Sequence, residues 1–120
     1  MAKILVVDDA IYVRSKSTKL LVEHGYEVEE ASNGAEAVTK YMAARPDLVL
    51  MDITMPVMDG ITAVKEIRKA DPQAKIVMCT ALGQQSMVIE AIRAGAKDFI
   101  VKPYQPDRVL ATIQRLLQAG

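Results

Sequence analysis

Four of the short apolar runs in this chain are followed directly by side chains that can bind a metal ion or a phosphate. In chain order these side chains are Asp8 with Asp9, Asp52, Thr80 and Lys102. Clustered carboxylates repel one another, by roughly 4 kcal/mol for two charges about 4 Å apart at an effective dielectric constant of about 20. Either one carboxyl group is protonated or a cation binds between them. Oxygen ligands without histidine or cysteine favour a hard ion, and Mg²⁺ suits one or two carboxylates with water and a phosphate.

The other two polar groups suit a phosphate better than a metal ion. Lys102 offers a positive charge and Thr80 a hydroxyl, and both groups can hold phosphoryl oxygens. An aspartate can act as a nucleophile toward phosphorus and form an aspartyl phosphate. The set of residues therefore predicts phosphoryl chemistry that depends on Mg²⁺.

Most of these residues, taken singly, have a simpler structural explanation. Asp8 or Asp9 could be the N-cap of a helix. Lys102 could be an ordinary ion-pair partner, and Thr80 an ordinary strand residue. Asp52 is harder to explain in this way, because an unpaired carboxylate at the end of a buried run has no structural benefit. The placement of all five residues at the ends of apolar runs favours function.

The runs that precede these residues are typical of strands buried on both faces of a parallel sheet. They cover residues 4–7, 48–51, 76–79 and 99–101. The segment 26–31 is charged and only half alternating, which predicts an edge strand, because charge there discourages pairing with other chains.

Amphipathic patterns follow each predicted strand and make a set of five helices. Boundary residues agree: Gly25 and Gly95 suit helix ends, and Asp59 and Gln105 with Pro106 suit helix starts. Strand–helix alternation with right-handed crossovers predicts a doubly wound α/β fold, a five-stranded parallel sheet in the order 2-1-3-4-5. Strands 1, 3, 4 and 5 are then neighbours, so the polar residues at their carboxyl ends meet in one crevice.

Length and composition limit the function classes. The 120 residues are 51% apolar, 25% are charged and the net charge is zero, which predicts one domain over residues 1–120. The absence of a basic excess argues against direct binding of nucleic acid or anionic membrane. The single cysteine cannot form an internal disulfide, and no apolar run approaches the roughly 18 residues of a membrane span. We expect a cytoplasmic monomer.

The combined motifs resemble the receiver domain of bacterial two-component response regulators, over essentially the entire chain. The matching residues are Asp8-Asp9, Asp52-Ile53-Thr54-Met55-Pro56 with Gly60, Thr80-Ala81 and Lys102-Pro103. The resemblance implies the flavodoxin-like fold of that family. Residues 51–56 and 83–92 are most similar to the chemotaxis regulators of the CheY type.

The resemblance also implies a role for each motif residue. Asp52 is expected to be the phosphoacceptor, and Asp9, Asp52 and the backbone carbonyl of Thr54 are expected to ligate Mg²⁺. Asp8 is expected to act mainly through metal-bound water. The side chains of Thr54 and Leu82 occupy the positions that tune hydrolysis of the phosphate in this family.

Further residues are expected to bind the phosphoryl group and to transmit the signal. Lys102, Thr80 and Ala81 correspond to the phosphoryl-binding and switch positions, and Phe99, three residues before the lysine, corresponds to the switch aromatic. The expected output surface contains Gln85, Arg93, Lys97 and Phe99.

The leading hypothesis is a response regulator that takes its phosphoryl group from a histidine kinase and then binds an output partner. A standalone chemotaxis regulator acting on the flagellar motor switch is favoured, since the chain stops at the fifth helix. The alternative is a phosphorelay intermediate or the receiver of a larger regulator such as a transcription factor. An aspartyl-phosphate phosphatase is disfavoured, because those enzymes need an aspartate where this chain has Thr54. We expect self-catalysed phosphoryl acceptance and autodephosphorylation, not an enzyme.

Overall fold

Strands and helices alternate strictly along the chain in the computed structural model, which describes residues 1–81 and 83–119. The five strands are β1 (Lys3–Val7), β2 (Glu27–Ala31), β3 (Leu48–Asp52), β4 (Ile76–Thr80) and β5 (Asp98–Val101). The five helices are α1 (Ile11–Glu23), α2 (Gly34–Ala44), α3 (Gly60–Ala70), α4 (Gln85–Ala94) and α5 (Pro106–Gln118). Leu82, named above for its position after Thr80, lies outside the described residues.

The strands form one parallel sheet in the order β2-β1-β3-β4-β5, which confirms the predicted topology. The charged strand β2 lies at one edge, as its sequence predicts. The register aligns Asp52 with Cys79 and Thr80 with Val101. The carboxyl ends of the four neighbouring strands β1, β3, β4 and β5 therefore lie together.

Two apolar layers cover the sheet, because neighbouring residues of a strand point to opposite faces. Leu5 and Val7 of β1 pack with α2, α3 and α4, whereas Ile4 and Val6 pack with α1 and α5. Every residue of β3 and β4 is buried, as their continuous apolar runs predict. Cys79 is in the second layer, and burial raises the pKa of its thiol to about 12.

Side-chain and backbone caps fix where the helices begin and end. The side chain of Asp59 accepts a hydrogen bond from the backbone N–H of Thr62 at 2.8 Å, and Gln105 with Pro106 begins α5. Gly95 ends α4 with a positive φ of 122°, a conformation that favours glycine. Within the described residues, no helix combines the length and the apolar character needed to cross a membrane.

Two strands extend at their carboxyl ends beyond the apolar runs that predict them. Asp52 and Thr80 are the last residues of β3 and β4, and do not follow them. Ladder hydrogen bonds are made by the backbone, so a polar side chain at the sheet's end does not interrupt pairing. Both functional candidates are consequently held by the sheet itself.

Candidate functional site

Three carboxylates meet at the carboxyl end of the sheet. One oxygen each from Asp8, Asp9 and Asp52 lies within 4.8 Å of the others. Asp8 and Asp52 are buried, whereas Asp9 is exposed and faces solvent from the first connection. The crevice predicted from the ends of the apolar runs is thus present for all three acids.

Lys102 neutralises part of this charge. Its Nζ lies 2.9 Å from Asp8 Oδ2 and 3.2 Å from Asp52 Oδ1. Its backbone N–H donates to the carbonyl of Thr80 at 2.7 Å, which ties the residue to the end of β4. Burial alone would lower the pKa of Lys102, but the hydrogen bond to Asp8 and the charges of Asp52 and Asp8 outweigh it and raise the pKa. The ammonium group stays positive, and one positive charge faces three carboxylates.

Asp52 is poorly stabilised as an anion in this arrangement. Burial raises its pKa from 3.8 to about 6, and the negative charges of Asp8 and Asp9 add to the effect. Lys102 opposes the rise without cancelling it. The uncompensated charge and the oxygen-only donor set fit a hard divalent cation such as Mg²⁺. Asp8, Asp9 and Asp52 are the residues that could hold it.

The connection after β1 holds the acids in place without using them as helix caps. The N-cap of α1 is Ala10, and its backbone N–H donates to Asp8 Oδ1 at 2.9 Å. The N-cap explanation of Asp8 and Asp9 is therefore wrong. Arg14 Nη1 donates to the carbonyl of Asp8 at 2.8 Å, and Arg14 Nε pairs with Glu30 Oε1 at 2.7 Å. Sequence patterns do not reveal this support, because it joins a helix to a separate strand.

The connection after β3 is shaped by a close backbone approach. The N–H of Gly60 donates to the carbonyl of Ile53 at 2.7 Å. A Cβ at position 60 would lie 2.1 Å from the carbonyl oxygen of Asp52. Only glycine fits there, which explains physically why Gly60 accompanies the Asp52 motif.

Thr80 and Ala81 face a residue that the sequence analysis did not identify. The hydroxyl of Thr80 lies 2.9 Å from Gln84 Oε1, and the N–H of Ala81 donates to the same oxygen at 2.8 Å. Gln84 Nε2 donates to Thr54 Oγ1 at 3.2 Å. A glutamine outside an apolar run gives no sequence signal for such contacts. Thr54 itself is exposed in the connection after β3.

The predicted output residues are only partly brought together. Phe99 is half-buried on β5 beside Met78 and lines a groove of about 350 Å³ with Thr80, Gln84 and Gln85. Arg93 lies in the last turn of α4 and Lys97 precedes β5; both are exposed. Among the described residues, the groove joins Phe99 and Gln85 to Thr80 but includes neither of these two cations.

Comparison with known proteins agrees with this geometry. Residues 4–114 match the family described as the response regulator receiver domain. The chain is 63% identical over 116 residues to the chemotaxis protein CheY of Bacillus subtilis, which covers 96% of this chain and 97% of that protein. CheY of Thermotoga maritima is 57% identical over 115 residues, covering 95% of this chain and 96% of its own. The CheX–CheY–BeF3–Mg complex from Borrelia burgdorferi superposes with a TM-score of 0.90 at 36% identity, over 96% of this chain and 88% of that chain.

These findings confirm the resemblance that the motifs carried. The family match includes residues of all five strands, and the two bacterial CheY proteins share more than half of the aligned residues with this chain. The acidic cluster, Lys102 and Thr80 lie at the end of the sheet where the motif places them. The chain belongs to the response regulator receiver domain family, and it is a CheY-like member of it.

Proposed function

We propose that this chain, as one receiver domain over residues 1–120, accepts a phosphoryl group on Asp52 and changes its surface in response. The observation that carries the proposal is the Asp8–Asp9–Asp52 cluster with Lys102 bridging two of its members. A buried carboxylate with a raised pKa beside one ammonium group has no evident structural benefit. It is suited to a reaction that brings a divalent cation and a phosphate together.

The reaction is an in-line displacement at phosphorus. A carboxylate oxygen of Asp52 forms the new O–P bond, while the bond from phosphorus to the donor breaks and the donor keeps its electron pair. Lys102 and the hydroxyl of Thr80 bind phosphoryl oxygens, and the N–H of Ala81 adds a third donor. These groups are held by β3, β4 and the residue after β5, so they are positioned before the donor arrives.

Asp9, Asp52 and the backbone carbonyl of Thr54 would hold Mg²⁺, with Asp8 acting through metal-bound water. When bound, the ion neutralises charge on the phosphoryl oxygens and on the carboxylates. The exposure of Asp9 and the burial of Asp8 and Asp52 support a site that opens to solvent on one side.

The donor is a histidine kinase, as the family implies for its members. The reacting groups all belong to the receiver, so a small donor such as acetyl phosphate also suffices. The same groups carry out autodephosphorylation, and we propose no further enzymatic activity. A cytoplasmic location and a monomeric state fit this role.

The output surface includes Phe99 and Gln85 in the groove beside Thr80, with Arg93 and Lys97 on the adjoining exposed surface. Similarity to CheY of Bacillus subtilis supports a chemotaxis partner, and we propose the flagellar motor switch. The complex of CheX with CheY from Borrelia burgdorferi supports binding of a partner protein by receivers of this kind.

The phosphoacceptor is tested by labelling with acetyl phosphate and Mg²⁺, followed by intact mass measurement. Wild type should gain one phosphoryl group, and Asp52→Asn should gain none. Asp107→Asn, a change on the exposed first turn of α5, is the matched control and should label normally. Labelling of Asp52→Asn to the wild-type extent would refute the assignment.

A further inference from the structure

The Gln84 side chain spans the mouth of the crevice, from the connection after β3 to the end of β4. Its Oε1 accepts from the N–H of Ala81 at 2.8 Å and lies 2.9 Å from the hydroxyl of Thr80. Its Nε2 donates to Thr54 Oγ1 at 3.2 Å. These three contacts are called the Gln84 bridge below.

The orientation of the carboxamide follows from its partners. The backbone N–H of Ala81 can only donate, so the atom facing it must be the oxygen. The nitrogen then faces Thr54 Oγ1, which can accept. The hydroxyl of Thr80 has one proton to share between Gln84 Oε1 and the carbonyl of Ala81, which lies 3.1 Å away. One amide oxygen is thus the common acceptor for both groups.

Those two groups are the same donors that the proposed function assigns to phosphoryl oxygens. A phosphoryl oxygen and Gln84 Oε1 cannot both occupy the space in front of the Ala81 N–H. We infer that the Gln84 carboxamide is an internal competitor for the phosphoryl-binding donors and sets how tightly the site holds a phosphoryl group. This inference rests on the proposed function of Asp52.

The bridge is not needed to build the helix that follows it. Gln84 is the N-cap residue of α4, yet its side chain makes no capping hydrogen bond. Its backbone carbonyl accepts from the N–H of Val88 at 3.0 Å, and this bond survives any change of side chain. Replacing Gln84 should therefore release the donors without unwinding α4.

Release of the carboxamide also links the site to the groove. Gln84 lines the groove together with Phe99 and Val88, at the first turn of α4. When a phosphoryl oxygen takes its place, the Gln84 side chain must leave Thr80 and reorganise beside these residues. The competitor thereby transmits occupancy of the site to α4.

The test is the affinity for beryllofluoride, a phosphoryl mimic, at saturating Mg²⁺, measured by NMR titration. Gln84→Met keeps the length of the side chain and removes its hydrogen bonds. It should bind beryllofluoride about fivefold or more tightly than wild type, because the mimic no longer displaces internal hydrogen bonds. Gln114→Met, the same change at an exposed position of α5, is the matched control, since no described hydrogen bond involves the Gln114 side chain, and it should bind as wild type does.

A second readout separates competition from a general change in structure. The Ala81 amide resonance should differ between free wild type and free Gln84→Met, and should coincide in the two beryllofluoride complexes. Equal or weaker binding by Gln84→Met, or equal tightening by Gln114→Met, would overturn the inference and leave the role of Asp52 intact. Failure of wild type to bind beryllofluoride would instead overturn the proposed function. If Gln84→Met does not fold, Gln84→Ala serves in the same comparison.

Discussion

Ionisation of Asp52 lowers the free energy of unfolding, and this decrease can be measured. In the absence of metal its pKa is raised to about 6, first by burial and then by the neighbouring acids. A carboxyl group whose folded pKa is above its unfolded value keeps its proton longer in the native state. The free energy of unfolding therefore falls as the pH rises from about 4 to about 6.

Asp52→Asn removes this penalty. At pH 7 with a chelator present, the variant should be more stable than wild type by about 1 to 3 kcal/mol. The difference should shrink as the pH falls toward 4, and Mg²⁺ should narrow it at pH 7 by stabilising the wild type. Urea unfolding at several pH values measures this difference in the free energy of unfolding, with Asp107→Asn as control. A variant less stable than wild type at pH 7 would contradict this account.

Lys102 and Thr80 differ in what they offer, so their removal should differ in kind. Lys102→Ala leaves the phosphoryl oxygens, Asp8 and Asp52 without their ammonium group, and labelling by acetyl phosphate should slow by about tenfold to a hundredfold. Thr80→Ala removes a hydroxyl that Gln84 already occupies, and labelling should change by about threefold or less. Initial labelling rates of the two variants, measured at the same Mg²⁺ concentration, test this difference. Equal effects from the two variants would be inconsistent with the crevice described.

At the scale of secondary structure elements, α2 is joined to the connection between α3 and β4 by one buried phenol. The hydroxyl of Tyr41 donates to Asp71 Oδ2 at 2.6 Å, and Arg45 lies 3.3 Å from the same oxygen. The hydrogen bond from Tyr41 lowers the pKa of Asp71, although burial opposes it, and Gln73 and Arg45 add to the lowering. A carboxyl group with a lowered folded pKa stabilises the fold above its unfolded pKa, and loses this effect as the pH falls through the folded value.

Tyr41→Phe should therefore lower the free energy of unfolding by about 1 to 2 kcal/mol at neutral pH, with phosphorylation unaffected. The loss should diminish as the pH falls below about 4, because Asp71 is protonated first in the variant and then, at its lowered folded pKa, in the wild type. Chemical unfolding between pH 3 and pH 7 measures the trend. A loss that is constant over this range would show that Asp71 is not the partner responsible.

Elements and residues were predictable from sequence to different degrees. The order of the sheet follows from apolar runs and one charged strand, and Asp8, Asp52 and Lys102 follow from being the first polar residues after those runs. Gln84 and Arg14 were not predicted, because each reaches across to another element and neither lies in a periodic pattern. Their contacts depend on how loops approach one another, which hydrophobic periodicity does not encode.

Across the whole molecule, the site lies at one end of the sheet and the groove at one edge of it. Beryllofluoride with Mg²⁺ should shift amide resonances at the ends of β3 and β4, in the first turn of α4 and on β5 around Phe99. Strand β2 lies on the other side of β1 from β3, β4 and β5, and its amide resonances should change little. Two-dimensional NMR spectra with and without the mimic test this pattern, with Asp52→Asn as the unresponsive control. Shifts confined to the acid cluster, with the resonances of α4 and Phe99 unchanged, would exclude transmission of the signal from Asp52 to α4 and β5.

The buried position of Cys79 has a practical consequence for following such changes. It is the only cysteine of the chain, it is 2% exposed, and its pKa of about 12 leaves almost no thiolate at neutral pH. Thiol-reactive dyes and spin labels should therefore ignore the native protein. A cysteine introduced at an exposed position of α4, such as Glu90→Cys, would be labelled alone. The chain is thus already suited to site-specific reporters, with no need to remove its own sulfhydryl first.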